Sequence, residues 1–151
     1  MKNKYLLVGL LLWFNVVFSQ ADKVVGYWLT ENNDAQVQIY KGTDNKYHGR
    51  MVWLKEPREA NGELKTDTKN PDEKLKSRTL LNLVFIHNFE YDKSDNRWEN
   101  GKIYDPESGN TYSCYIWFEN NNFNVLYLKG YLGISLLGRT TKWTREDTLR
   151  K

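Results

Sequence analysis

Two carboxylates two positions apart, close to a proline and a glycine, Asp105 and Glu107 in "KIYDPESGNTYSC" (102–114), are the first residues whose types and spacing suggest chemistry. A glycosidase would hold such a pair about 5 Å apart for a nucleophile and acid, or roughly 6.5–9.5 Å apart with a water between them. Either arrangement needs a shaped cleft. The flanking residues describe something else: Asp105 before Pro106, then Gly109, is the chemistry of a tight turn. Asp105 is placed to accept from the backbone two residues on, and Gly109 to take a positive φ. The pair is therefore read as a bend between two strands, with Asp105 and Gly109 in structural roles.

The remaining candidates for chemistry are few. His48 and His87 are far apart and lack the spacing of a zinc site. His87 is the single buried-looking acid or base, on a face shared with Leu83, Phe85 and Phe89. Asp67, Asn70 and Asp72 in "DTKNPD" are oxygen donors outside the pattern of a calcium loop, and they fit a helix start better, with Asn70 as cap and Pro71 at the first helical position. "GISLLG" (133–138) lacks the closing glycine of a nucleophile elbow, and there is no phosphate-binding glycine loop. No catalytic residue, metal or cofactor is assigned, and the chain is read as a non-catalytic protein.

The elements that would position a site are strands. Eight segments rich in Val, Ile, Tyr, Trp and Thr (24–30, 35–41, 46–55, 80–90, 96–104, 110–119, 122–130 and 138–144) alternate with turn-forming stretches such as "ENND", "GTDN" and "DKSD". Short connections make neighbours antiparallel, and an eight-stranded meander closes most economically into an up-and-down barrel, which removes its edges. Pairing Tyr104 with Thr111 sets Ile103 beside Tyr112 on the core face. The single long connection, 56–79, is too long to be featureless. It is expected to contain one short helix and to act as a lid that also covers Val84 and Ile86.

The aromatic content exceeds what a small core requires: 10 tyrosines, 6 phenylalanines and 6 tryptophans. Trp53, Phe85, His87, Tyr112 and Arg139 are the candidates for lining an interior cavity, and Tyr104, Tyr115 and Trp117 for an outer patch. Cys114 stands alone, so no internal disulfide forms, and it reads as a small buried apolar residue.

The first nineteen residues read as a secretory signal peptide. Lys2 and Lys4 precede an apolar run from Tyr5 to Phe18, shorter than the roughly 20 residues that span a bilayer, and cleavage is expected after Ser19, with Ala21 as the alternative. This makes residues 20–145 one barrel domain, 146–151 a frayed tail, and the protein exported, periplasmic or extracellular. The full chain has 22 Lys+Arg against 19 Asp+Glu; without Lys2 and Lys4 the balance is 20 against 19. A near-neutral chain offers no electrostatic case for nucleic acid. The expected partners are a small hydrophobic or amphipathic ligand, or an envelope protein or second copy, with no membrane span.

The order of motifs carries a resemblance. "GYW" (26–28) opens the first strand and "GRTTKWTR" (138–145) forms the last, similar to the tryptophan and arginine that close one end of lipocalin-like barrels. By that analogy Trp28 plugs the base and Arg139, sharing a face with Thr141 and Trp143, stacks on it. The series "GYWLT", "VQIYKG", "YHGRMVWLK", "DTKNPDEKLKSR", "GKIYDPESGNTY" and "LKGYLGISLLGRTTKWTR" resembles the bacterial exported family catalogued as domain of unknown function 2147. One departure is Asn82, where the family tends to carry glycine. The resemblance implies a lipocalin-like barrel in the cell envelope and carries over no catalytic residues.

Overall fold

The computed structural model describes residues 19–131 and 138–151; the apolar leader up to residue 18 lies outside them. Eight strands close a barrel in chain order: β1 (Gly26–Leu29), β2 (Ala35–Lys41), β3 (Tyr47–Leu54), β4 (Val84–Asp92), β5 (Arg97–Asp105), β6 (Asn110–Trp117), β7 (Val125–Tyr131) and β8 (Thr140–Glu146). Every neighbouring pair is antiparallel, and β8 returns to β1 through Trp28 opposite Arg145. Tyr104 faces Thr111 and Ile103 faces Tyr112, the register expected from the turn between them.

The start of β1 and the end of β8 share one end of the barrel, and this end is closed. Trp28, Trp98, Phe89, Ile39, Ile116 and Leu126 fill it, each essentially without solvent exposure. Their edges are satisfied by a 3-10 turn, Gln20–Val24, lying across the opening. The Trp28 indole donates to the Val24 carbonyl at 2.9 Å, the Trp98 indole to the Ala21 carbonyl at 3.0 Å, and the Tyr47 hydroxyl to Asp22 at 2.8 Å. A buried indole N–H without an acceptor would be costly, so this turn is an integral cork for the barrel.

The arginine that stacks on Trp28 is Arg145, its guanidinium 4.2 Å from the ring centroid. Arg139 does not take this part; it is exposed at the opposite end of the barrel. In an antiparallel closure the beginning of β1 meets the end of β8, and Arg145, not Arg139, is at that end.

Bulges change which residues face inward. Val37 pairs with Met51 but Gln36 with Trp53, leaving Val52 as an extra residue that turns Trp53 outward. In β4, Gly49 pairs with Ile86 and Arg50 with Val84, leaving Phe85 extra, so Phe85 and Ile86 both join the core. The two apolar faces expected of β4 thus do not need an outer cover. Past them, Asn88 at φ 64° marks another irregularity. His87, opposite Lys102, lies outside, its ring 6.2 Å from that of His48.

Residues 146–151 are docked, not frayed. Gln36 donates to Glu146 and to the Thr148 carbonyl, and accepts from the Arg150 amide. Arg150 also pairs with Glu146 and lies over Trp53.

Candidate functional site

At the other end, among the described residues, the loops after β1, β3 and β5 surround an open mouth. Below it is a cavity of about 1300 Å³, a volume that takes in the space between the loops. Its walls are apolar and come from all around the barrel: Val37, Met51, Phe85, Ile103, Leu128 and Trp143. Phe85 and Trp143 lie 6.4 Å apart, centroid to centroid. The mouth is polar and carries both signs of charge, including Glu31, Asp34, Lys55, Lys69 and Arg139.

Of the five residues expected inside, Phe85, Tyr112 and Arg139 line this space and Trp53 and His87 do not. The bulges that rotate Trp53 and His87 outward are the reason. Burial first, and then the neighbouring His48, lower the pKa of His87 below its ordinary value of 6.5, so it is a neutral imidazole on the outer wall. Residues that sequence reasoning missed include Met51, Ile103 and Leu128. Ile103 had been placed on the core face, but nothing in its alternation told a packed lower half from an open upper half.

Cys114 also borders the cavity and is 2% exposed. Burial pushes its thiol up to about 12, and a thiol in this state is a poor nucleophile at neutral pH. Alkylation with iodoacetamide at pH 8 is expected to leave the native protein unmodified and to label Cys114 fully in denaturant. Rapid labelling of native protein would show that the cavity floor opens to water.

The long connection forms one side of the mouth. It is a small folded ladder and contains no α-helix. Arg58 bridges Leu64, Thr66 bridges Thr79, and the only helical piece is a single 3-10 turn, Glu73–Leu75, capped by Asp72. Asn70 is not the cap; its side-chain oxygen accepts from the Asp72 amide, while its amide donates to Asp67 and Tyr104. Three residues with Pro71 just upstream are too few to propagate a helix, since nucleation is the costly step.

Asp67 latches this lid to the barrel wall. Its carboxylate is fully buried and accepts from the Tyr104 hydroxyl at 2.5 Å, the Asn70 amide at 2.8 Å and the Arg78 guanidinium at 2.8 Å. Arg78 also sits over the Tyr104 ring, 5.6 Å from its centroid. The lid therefore covers Tyr104 on β5, and Ile86 of β4, expected beneath it, faces the core instead. Burial works to raise the pKa of Asp67, but these three donors win and hold it below 3.8. Burial, with Asp67 behind it, raises that of Tyr104.

The β5–β6 turn completes the rim. Asp105 accepts from the Glu107 amide at 3.0 Å and the Ser108 hydroxyl at 2.6 Å, and Gly109 takes φ 74°. A Cβ on Gly109 would lie 2.1 Å from the Lys69 carbonyl oxygen, so the lid rests directly on this turn. Asn82, at the other hinge of the lid, sits at φ 67° and donates its amide to the Met51 carbonyl at 2.7 Å. Asparagine tolerates this left-handed conformation better than most residues.

Among the described residues one group of carboxylates, Asp92, Asp95 and Glu99, is close enough to share a cation. Arg97 is paired with both Asp95 and Glu99, which explains the cluster without a metal.

A family model described as an uncharacterized protein conserved in bacteria (DUF2147) matches residues 26–145. The chain belongs to this family. Among solved structures, a protein described as HP1028 from the human pathogen Helicobacter pylori, belonging to the lipocalin family, is similar with a TM-score of 0.66. It is 21% identical, and the match covers 82% of this chain and 83% of that one. At this identity the likeness shows the fold: the DUF2147 chain is a lipocalin-like barrel. Among curated proteins none matches. Among the described residues no helix is long and apolar enough to cross a membrane.

Proposed function

We propose that this DUF2147 protein is an exported, non-catalytic binding protein that holds a small, partly apolar molecule in the upper half of its barrel. One observation carries the reading: the two halves of the interior are built differently. The lower half is packed with aromatic rings and corked, whereas the upper half, among the described residues, is left open, apolar at depth and charged at the mouth. Binding sites for small molecules are concave and mostly apolar, with a few polar groups to orient the ligand. A barrel that needed only stability would fill this space, because each unfilled methyl-sized void costs stability. The leader 1–19 supports export, and the cork supports cleavage after Ser19, since cleavage after Ala21 would remove the carbonyl that receives the Trp98 indole.

The test is native mass spectrometry of residues 20–151, purified from the periplasm without detergent. A reproducible added mass that survives mild activation and appears in solvent extracts is expected. Phe85→Trp, which narrows the cavity, should abolish the added mass while the protein stays folded. A clean apo mass in the wild type, together with no uptake of acyl or aromatic probes by the refolded protein, would overturn the reading.

A second reading, an envelope interaction module using an outer aromatic surface, keeps part of its support. It supposes a barrel interior packed solid, which the cavity argues against, and Tyr104 is buried beneath the lid. Tyr115 and Trp117 remain half-exposed on the outer wall.

A further inference from the structure

We propose that the outer face of β6 and β7 is a second binding site, for a chain of acidic sugars. It lies on the outer wall and shares with the cavity only Tyr131, at the rim. Four aromatic side chains form a continuous band across these strands. Tyr115 and Trp117 lie 5.3 Å apart at 35°, and Trp117 and its cross-strand partner Tyr127 lie 5.4 Å apart at 26°. Tyr131 extends the band, 6.4 Å from Tyr115. All four keep part of their surface open to solvent.

Three lysines stand on the same face. Lys102, Lys129 and Lys142 project from β5, β7 and β8, on the pairings that place them beside Ser113, Tyr115 and Tyr127. Among the described residues none of the three has a carboxylate within 4.0 Å; Lys102 donates to the Ser113 hydroxyl and Lys142 lies over the Tyr127 ring. Glu99 is already neutralised by Arg97, whose guanidinium covers Tyr115 at 4.9 Å. A chain of almost balanced charge ordinarily intersperses both signs on its surface. A patch of uncompensated ammonium groups around aromatic rings is therefore a complement to a ligand with regularly spaced anions and weakly polar C–H faces.

That description fits an acidic polysaccharide. The C–H bonds on one side of a pyranose are attracted to the negative face of an aromatic ring, carboxylates on successive sugars meet the lysines, and the three tyrosine hydroxyls offer hydrogen bonds. A single-stranded nucleic acid, with a phosphate at every nucleotide, calls for a broadly basic protein, and this chain carries 22 Lys+Arg against 19 Asp+Glu. A lipid surface would require protruding apolar tips, and the band is flat and braced by the sheet.

The experiment is affinity electrophoresis and calorimetry of residues 20–151 with polygalacturonate as the acidic probe and dextran as the neutral control. Binding of polygalacturonate at low salt is expected, weakened by added salt, with none to dextran. Lys129→Gln combined with Lys142→Gln should weaken it on the order of tenfold, the equivalent of one charge-assisted hydrogen bond. Trp117→Ala should do the same, and Trp117→Tyr should restore it if the alanine variant folds poorly. Phe85→Trp should leave it unchanged. No binding of polygalacturonate at low salt would overturn the proposal, and so would equal binding by the lysine variant. Tighter binding of single-stranded DNA or of anionic phospholipid vesicles in the same assay would overturn it too.

Discussion

Arg145→Leu is expected to lower the stability of the protein by about 3 kcal/mol, while Arg139→Leu changes it by no more than about 0.5 kcal/mol. Arg139 immediately precedes β8 and Arg145 lies near its end with the same parity, and the difference is in what surrounds them. Arg145 donates to three backbone carbonyls at the closed end: Phe123 at 2.8 Å, Val25 at 3.0 Å and Lys23 at 2.5 Å. Its guanidinium also covers Trp28. A charged hydrogen bond contributes about 1.5–3 kcal/mol and a desolvated cation–π contact up to about 2 kcal/mol. The sum is discounted because Arg145 is half-exposed and the carbonyls it leaves can reach water. Gly26 shows how closely the site is built: at φ 141°, a Cβ there would lie 2.7 Å from an Arg145 nitrogen.

Urea denaturation measures both variants directly, and a loss of this size moves the thermal midpoint by on the order of 10 °C. Arg145→Lys is expected to fall between wild type and Arg145→Leu, because an ammonium cannot reach three carbonyls in a planar fork. Equal losses at positions 139 and 145 would mean that the corked end is not where the barrel is held.

The sequence made the strands legible and left their irregularities hidden. Alternation and turn residues mark all eight strands because the barrel is a meander, in which local signals and tertiary neighbours coincide. Residues 35–41 and 110–117 show this well: a period-two pattern ends in asparagine- or aspartate-rich turns. A bulge adds one residue without leaving a mark in a row of apolar side chains. "RMVWL" and "LVFIHNF" therefore read as unbroken strands, and Trp53 and His87 were put on the wrong face. The expectation for Arg139 fails for a different reason, since motif order does not carry closure geometry. Antiparallel pairing of β1 with β8 requires the partner of Trp28 near the end of the last strand. The cavity was only half legible for a third reason: whether apolar residues meet across a barrel depends on strand tilt and bulges, not on the residues alone.

The lid latch gives the other large effect, and its pH dependence separates it from ordinary destabilisation. Asp67→Ala leaves the Tyr104 hydroxyl, the Asn70 amide and the Arg78 guanidinium without their common acceptor. Breaking a buried pair in this way costs about 3–5 kcal/mol, and the lower figure applies because Arg78 keeps contact with water. In the wild type the folded protein holds the Asp67 carboxyl below its ordinary value of 3.8. Near that pH the folded state therefore binds fewer protons than the unfolded chain, and stability rises with pH. The contribution is complete above the unfolded value and is lost as pH falls through the folded one. Asp67→Asn, which keeps the shape without the titrating group, should flatten this part of the acid limb. Hydrogen exchange then locates the loss. Because the latch ties 65–79 to a single strand, Asp67→Ala should speed exchange of the Asp67 and Leu80 amides, bonded to Arg78 and Lys65, far more than that of β6 and β7. A uniform rise across all eight strands would instead make the lid part of the barrel's global core, and a cavity closed by it could exchange its ligand only when the whole protein unfolds.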